Sequence, residues 1–263
     1  MKKIAVMMLM AAWLAGCSTT SEPADETRGW TVEKLYSEAR DELNSGNYTR
    51  AIKLYETLEA RYPYGRYAQQ AQMDLAYAHF KDQEPALSLA AADRFIKLHP
   101  AHPNVDYVYY LKGLVNYNED GGILSKYTGQ DRAERDPKAA REAFTSFRDL
   151  VVRFPDSKYV PDARVKMQNL VDGLAEHELF VARYYMRRSA YLAAANRAQG
   201  MIKEFPDSPF VEESFAIMVT AYDKLGKTTL RDDTRRVLET NFPNSVYLKK
   251  PWQPRDVPWY QFW

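Results

Sequence analysis

Side chains of the types that carry catalysis or bind metals are scarce in this chain, which has one cysteine and four histidines. His99 and His102 share the turn His-Pro-Ala-His-Pro and could in principle chelate a metal, but no cluster of carboxylates flanks them. His79 occupies a position where a helix is expected to pack. No H-E-x-x-H, G-x-S-x-G or phosphate-binding glycine loop occurs. The sequence therefore predicts a protein that is not an enzyme, with no catalytic residue, no metal site and no dissociable cofactor.

The thiol of Cys17 is the one candidate for covalent chemistry, and it ends an apolar N-terminal segment. Two lysines open the chain, residues 4–15 carry no charge, and Leu14-Ala15-Gly16 leads into the cysteine. This is the layout of a secretory signal. As a helix, the apolar part would extend about 18 Å, which is too short to cross a hydrocarbon core of about 30 Å. The segment therefore predicts export from the cytoplasm.

The tetrapeptide Leu14-Ala15-Gly16-Cys17 resembles the lipobox of bacterial lipoproteins. The resemblance implies that residues 1–16 are removed, that a diacylglycerol is attached to the thiol of Cys17 and that its new amino group is acylated. Ser18 follows, and because an aspartate there favours the inner membrane in lipoproteins, Ser18 implies the periplasmic face of the outer membrane. The alternative is a soluble exported protein that is cut near Ala15 and keeps a free thiol.

Charge and composition exclude several classes of protein. The two lysines leave with the signal, so the formal net charge changes from +1 to −1. Such a balance is not typical of proteins that bind nucleic acid or anionic membrane surfaces generally. No cysteine follows Cys17, which excludes disulfides and thiolate metal sites. No later apolar stretch approaches 18 residues, so the acyl chains are predicted to be the only membrane attachment.

A proline-containing phrase recurs along the chain and divides it into repeats. Pro63, Pro100, Pro155, Pro206 and Pro243 lie 37, 55, 51 and 37 residues apart, with pairs of helical patterns between them. Self-similarity at such periods predicts an all-α, right-handed solenoid of about five tetratricopeptide (TPR) helix pairs. The predicted units are about 31–65, 66–102, 103–157, 158–208 and 209–245; residues 17–30 are a flexible tether and residues 246–263 a Pro/Trp-rich tail.

The turns inside the repeats differ from unit to unit. Gly46 suits the left-handed position that ends a helix, whereas Gln83 stands at the equivalent place in the second unit. The remaining expectations are helices from about Val105 to Tyr117, Pro137 to Arg153 and Pro161 to Arg188, an inserted loop over residues 119–136, and a possible bend at Gly173.

An aromatic groove is expected along the first three units. In TPR arrays the concave wall is lined by roughly the second, fifth, ninth and twelfth positions of the first helix of each pair. Tyrosine is amphipathic and rigid, so such a wall suits an extended apolar peptide. Any one of these side chains could instead fill the space between neighbouring repeats. The predicted groove residues are Tyr36, Arg40, Met73, Tyr77, Phe80, Tyr107, Tyr110 and Tyr117.

The fourth unit and the tail have a different character. Arg183, Arg187, Arg188 and Arg197 form a positive patch that could receive acidic residues of a partner, although arginines on long helices are often simply solvated. The aromatic residues of the tail, Trp252 among them, are expected to fold back over the last helix and cover the open end of the solenoid. The alternative is a tail that projects as a docking peptide.

Several motifs between about Trp30 and Ser245 resemble one family specifically. They are Asn47-Tyr48 with Ala51-Ile52, Asp93-Arg94-Phe95-Ile96, His102-Pro103-Asn104-Val105-Asp106-Tyr107-Val108 with Gly113-Leu114, Asp131-Arg132 through Arg135-Asp136-Pro137, Val181-Ala182 through Tyr184-Tyr185, and Asn196-Arg197. The family is BamD/ComL, the TPR lipoproteins of the β-barrel assembly (BAM) machinery of the outer membrane.

This resemblance implies a non-catalytic scaffold. In such proteins the C-terminal repeats contact the membrane-proximal POTRA domain of the barrel subunit BamA, which here would involve Asn196 and the positive patch. The N-terminal repeats receive unfolded outer-membrane proteins through their C-terminal segments, and BamC- and BamE-type lipoproteins are further partners. The alternative is another envelope TPR lipoprotein that coordinates cell-wall synthesis or constriction. A lytic transglycosylase is disfavoured because no stretch between the repeats could hold a catalytic domain.

We expect that replacing Cys17 with serine removes the protein from the outer-membrane fraction, because the less nucleophilic alcohol cannot take the thiol's place as acceptor of the diacylglyceryl group. Membrane fractionation with metabolic labelling by an alkyne fatty acid measures this. Ser18→Ala is the matched control and should retain both the label and the membrane. A Cys17→Ser protein that still fractionates with the outer membrane would contradict the lipid anchor.

Overall fold

The computed structural model describes residues 26–121 and 137–254, which form eleven helices and no strand. The predicted signal with Leu14, Ala15, Gly16 and Cys17, most of the tether, the greater part of the inserted loop and the end of the tail lie outside the described residues. The helices are α1 (Val32–Asn44), α2 (Tyr48–Arg61), α3 (Arg66–Lys81), α4 (Pro85–Leu98), α5 (Val105–Gly121), α6 (Lys138–Arg153), α7 (Val160–Arg187), α8 (Tyr191–Glu204), α9 (Val211–Lys224), α10 (Thr228–Asn241) and α11 (Val246–Lys249).

The first ten helices pack as five consecutive pairs, and each pair also packs on the next. The predicted all-α solenoid of five helix pairs is therefore confirmed. Helix α5 is described as far as Gly121, four residues beyond its expected end at Tyr117, so the first three residues of the expected loop are helical.

Small residues set the distance between the helices. Ala39 and Ala51 are fully buried where α1 crosses α2, and Gly113 of α5 faces the ring of Phe147 in α6. A Cβ atom added at Gly113 would lie 2.3 Å from Cε1 of Phe147. Because buried side chains are close-packed, that position admits only glycine unless the two helices move apart.

A left-handed residue ends the first helix of four pairs. Gly46 and Gly226 have φ values of 82° and 67°, and Gln83 and Ser189 take the same position with φ values of 62° and 58°. At each turn the amide of the next residue bonds to the carbonyl five residues back, as from Glu84 to His79 at 2.9 Å. This hydrogen bond satisfies a carbonyl that the helix end would leave free.

Helix α7 connects the two halves of the solenoid. It runs without interruption for 28 residues, so the bend predicted at Gly173 does not break it. Its first half contributes Leu170 and Leu174 to the core shared with α6, and its second half contributes Leu179 and Met186 to the core shared with α8 and α9. A single helix of about 42 Å thus holds the two cores in a defined relation.

We expect Gln83→Gly to stabilise the protein by about 1 kcal/mol, because a left-handed conformation strains a residue with a Cβ atom but not glycine. The free energy of unfolding in urea measures the change. Glu56→Gly is the matched control: it places glycine at an exposed position inside α2 and should destabilise by about 1 kcal/mol. A Gln83→Gly protein less stable than the parent would contradict the strain.

Candidate functional site

A cleft of about 730 Å³ opens between α1, α3, α5 and the turn that precedes α7. Four of the predicted groove residues line it: Arg40, Met73, Tyr77 and Tyr107. Asp74, Lys158 and Tyr159 also line it, and none of the three was among the predicted groove residues. We call this space the groove cleft. Only half of the eight predicted groove residues therefore line a common cleft.

The carboxylate of Asp74 organises the floor of the groove cleft. Tyr36 Oη donates to Asp74 Oδ2 at 2.9 Å, and Gln70 Nε2 donates to Oδ1 at 2.9 Å. Tyr55 Oη reaches Oδ2 at 3.5 Å, and Arg40 Nη1 donates to Tyr36 Oη at 3.3 Å. Tyr36 therefore serves to satisfy a partly buried carboxylate, and its ring packs against neighbouring tyrosines rather than lining the cleft.

Burial sets the protonation of this network. It raises the pKa of Tyr36 to about 12, with a further increase from the nearby charge of Asp74. Burial also raises the pKa of the Asp74 carboxyl, although the donated hydrogen bonds oppose the change. At neutral pH Tyr36 consequently remains a protonated donor.

Tyr110 packs between repeats, on Tyr159. The two rings are stacked with centroids 4.8 Å apart and an interplanar angle of 15°. Tyr110 Oη donates to Asp162 Oδ2 at 2.5 Å, and burial together with this bond raises the pKa of Tyr110. Tyr159 lies in the turn after Pro155. The groove residues were predicted from fixed positions within the first helix of each pair, and a residue in a turn has no such position. A search for aromatic residues after each proline phrase would have found it.

Phe80 and Tyr117 also fill space between helices. The Phe80 ring lies 6.4 Å from that of Tyr77 and packs on the core formed by α3, α4 and α5. The Tyr117 ring meets Phe147 edge-on at 6.3 Å, with Lys166 Nζ 5.5 Å from its centroid. Packing is therefore the observed environment of four predicted groove residues: Tyr36, Phe80, Tyr110 and Tyr117.

The charged groups around the groove cleft are largely engaged within the chain. Asp106 Oδ2 accepts from Ser157 Oγ at 2.6 Å, and Lys158 Nζ lies 5.0 Å from the centroid of Tyr159. The lining therefore combines the rings of Tyr77, Tyr107 and Tyr159 with polar and charged side chains such as Arg40 and Lys158. Such a lining can contact an aromatic side chain and the polar backbone of an extended peptide together.

The positive patch predicted in the fourth unit is partly neutralised. Arg183 forms a bidentate pair with Glu213, with nitrogen–oxygen distances of 2.7 and 2.6 Å, and Arg197 pairs with Glu178 at 2.9 Å. The patch therefore does not consist of four uncompensated charges. Arg188 and Asn196 are exposed, and Arg187 lines a cavity beside the tail.

The described part of the tail, residues 246–254, folds back onto α7, α8 and α9 and not onto α10 as expected. Trp252 is only 6% exposed and joins the core formed by α7, α8 and α9. Its Nε1–H donates to Glu213 Oε1 at 2.9 Å, the carboxylate that also holds Arg183. Glu213 lies 30 residues from Arg183 and 39 residues from Trp252, so no local pattern in the sequence predicts this arrangement.

The histidines have structural partners. His79 Nδ1 lies 2.8 Å from Glu84 Oε2, His99 Nε2 lies 2.9 Å from Gln72 Oε1, and His102 Nδ1 accepts from the amide of Asn104 at 3.1 Å. Within residues 26–121 and 137–254, no group of three or more His, Cys, Asp and Glu could hold a metal ion. Over the same ranges, the helices all fall short of the length and apolar character that a membrane crossing requires.

Comparison with known proteins agrees with the solenoid and its motifs. The family profile described as "YfiO: Outer membrane lipoprotein" matches residues 29–238. A protein of Neisseria meningitidis serogroup B named outer membrane protein assembly factor BamD is 55% identical over 266 aligned positions, which span all of both chains. Proteins of the same name from Xylella fastidiosa and Vibrio cholerae are 38% and 37% identical; they cover 95% and 89% of this chain and 85% and 96% of their own length. This chain therefore belongs to the YfiO family of outer membrane lipoproteins, a family of non-catalytic assembly factors.

Proposed function

We propose that this protein is a non-catalytic subunit of the β-barrel assembly complex, in which it receives unfolded outer-membrane proteins and scaffolds the barrel subunit. The names of its relatives support assembly of outer-membrane proteins in general. The groove cleft is the observation that carries the more specific role, because it is the place in the described residues where several tyrosines converge on open space.

The groove cleft suits the aromatic C-terminal segment of an unfolded outer-membrane protein. Tyr77 and Tyr107 line the cleft with amphipathic rings, and the buried side chain of Met73 packs beneath them. The hydrogen bonds around Asp74 hold the floor in place before any ligand arrives. Because a rigid surface loses little conformational entropy on binding, such a cleft can select aromatic residues with few contacts.

Lipid attachment at Cys17 supplies the second part of the mechanism. Acyl chains on the thiol and the new amino group hold the solenoid at the periplasmic face of the outer membrane, since several chains together anchor stably where one does not. Confinement to one surface raises the effective concentration of the protein beside an integral barrel partner. A segment bound in the groove cleft is then delivered where insertion takes place.

The C-terminal half of the solenoid is the proposed contact with the POTRA domain of a BamA-type barrel protein nearest the membrane. Among the residues that the structure describes, Arg187 and Arg188 form no ion pair, whereas Arg183 and Arg197 do; the uncharged Asn196 is exposed. Arg183 and Arg197 contribute by shaping this surface through their pairs with Glu213 and Glu178. BamC- and BamE-type lipoproteins are the further partners.

We expect Tyr77→Ala combined with Tyr107→Ala to weaken binding of a synthetic peptide that ends in phenylalanine by about tenfold or more, since aromatic pairs contribute about 0.5–1.5 kcal/mol each beyond burial. Calorimetric titration of the purified protein measures the affinity. Tyr64→Ala is the control, because Tyr64 is 90% exposed and lies outside the cleft. Equal affinity of the double variant and the parent would exclude the groove cleft as the receiving site.

We expect Arg187→Glu combined with Arg188→Glu to reduce recovery of the barrel protein severalfold, because like charges across an interface repel. Affinity purification from detergent-solubilised membranes with mass spectrometry measures recovery. Arg148→Glu, an exposed change on α6, is the matched control. Undiminished recovery would remove these arginines from the interface, and recovery of peptidoglycan factors without any barrel protein would contradict the proposed complex.

A further inference from the structure

The tail binds the solenoid as a peptide ligand would. After the single turn of α11, residues 251–254 are neither helix nor strand, and two prolines flank the Trp-Gln dipeptide. Proline cannot donate a hydrogen bond and favours extended backbone, so the segment presents side chains rather than a folded unit of its own. Its anchor is the Trp252 ring, which is buried among apolar residues of α7, α8 and α9.

The place that receives Trp252 contains a recognition element for its indole nitrogen. Glu213 Oε1 accepts both from Trp252 Nε1 at 2.9 Å and from Arg183 Nε at 2.7 Å. Arg183 approaches both oxygens of the carboxylate and so fixes its plane. An indole N–H aimed at a fixed carboxylate is a contact that phenylalanine cannot make, because its ring has no donor.

The tail does not fill the space in which it lies. A cavity of about 260 Å³ remains beside it, lined by Arg183 and Arg187 on one side and by Tyr247, Lys250 and Pro254 on the other. The short helix α11 joins the tail to the solenoid, with Ser245 Oγ accepting from the amide of Tyr247 at 3.2 Å. Trp252 is the buried anchor of the segment, Tyr247 packs partly buried against the same core, and open space lies next to them.

We propose that the surface between α7 and α9 is a second peptide-binding site, specific for a tryptophan side chain in an extended, proline-flanked segment, and that the chain's own tail occupies it. The site is separate from the groove cleft, since the two share no lining residue. It therefore does not depend on the function proposed above. A tethered ligand has an effective concentration in the millimolar range, so the tail excludes weaker peptides while it stays docked.

The test adds the tail back as a separate molecule. A fluorescein-labelled peptide with the sequence of residues 246–254 is titrated into the full chain carrying Trp252→Ala, and fluorescence anisotropy is recorded. We expect this chain to bind the peptide at least tenfold more tightly than the parent chain does, because the tethered competitor has lost its anchor. Adding Glu213→Ala to the Trp252→Ala chain should remove this gain.

Two further peptides test the specificity. The peptide with alanine in place of tryptophan should not bind, and the peptide with phenylalanine should bind about tenfold more weakly than the parent peptide, as expected for loss of a hydrogen bond to a charged group. Equal binding of the tryptophan and alanine peptides would overturn the proposal. So would equal binding of the parent peptide by the Trp252→Ala and parent chains.

A second variant, which keeps the core filled, tests the proposal if the Trp252→Ala chain does not fold. Circular dichroism first establishes that the Trp252→Ala chain retains its helix content. If that chain does not fold, Trp252→Phe replaces it, because phenylalanine preserves the packing and removes only the indole hydrogen bond. A folded Trp252→Phe chain that shows no more peptide binding than the parent would equally overturn the proposal.

Discussion

Close approach of helices is the constraint on which the rest of the structure depends. A helix pair cannot cover its own apolar face, so each pair has to lie against the next, and alanine or glycine is needed wherever two backbones approach. The contact between Gly113 and Phe147 shows how little room is left. Packing against the neighbouring pairs fixes the position of each helix pair. Side chains that are distant in sequence can therefore be held accurately against one another.

The groove cleft and the tryptophan site between α7 and α9 both depend on this positioning of helices. In both, a carboxylate holds the surrounding side chains in place. Asp74 gathers three donors from α1, α2 and α3, while Glu213 gathers Arg183 and the indole of Trp252. Neither carboxylate stands alone, which matters because burial of an unpaired charge is costly. The two sites lie in opposite halves of the solenoid, joined by the continuous helix α7.

The tyrosines of the first three units show which part of the groove can be predicted from positions within the helices. Tyr77 and Tyr107 line open space, as the positions predicted, whereas Tyr36 and Tyr110 turn to Asp74 and Tyr159. In a string of letters the two kinds of tyrosine look alike, because each is separated from its helix neighbours by similar spacings. What distinguishes them is whether the ring borders the cleft, since Tyr107 and Tyr110 both contact Tyr159.

The sequence by itself determined the elements and their number. Proline ended each repeat, Gly46 and Gly226 marked the left-handed turns, and the N-terminal tetrapeptide around Cys17 predicted the anchor; these signals are local, because they depend on backbone conformations that only certain residues adopt. Only the tertiary structure decided that Glu213 neutralises Arg183 and that Trp252 docks between α7 and α9. Those outcomes depend on contacts between residues 30 or more positions apart, which packing of whole helices brings together and which no local pattern encodes.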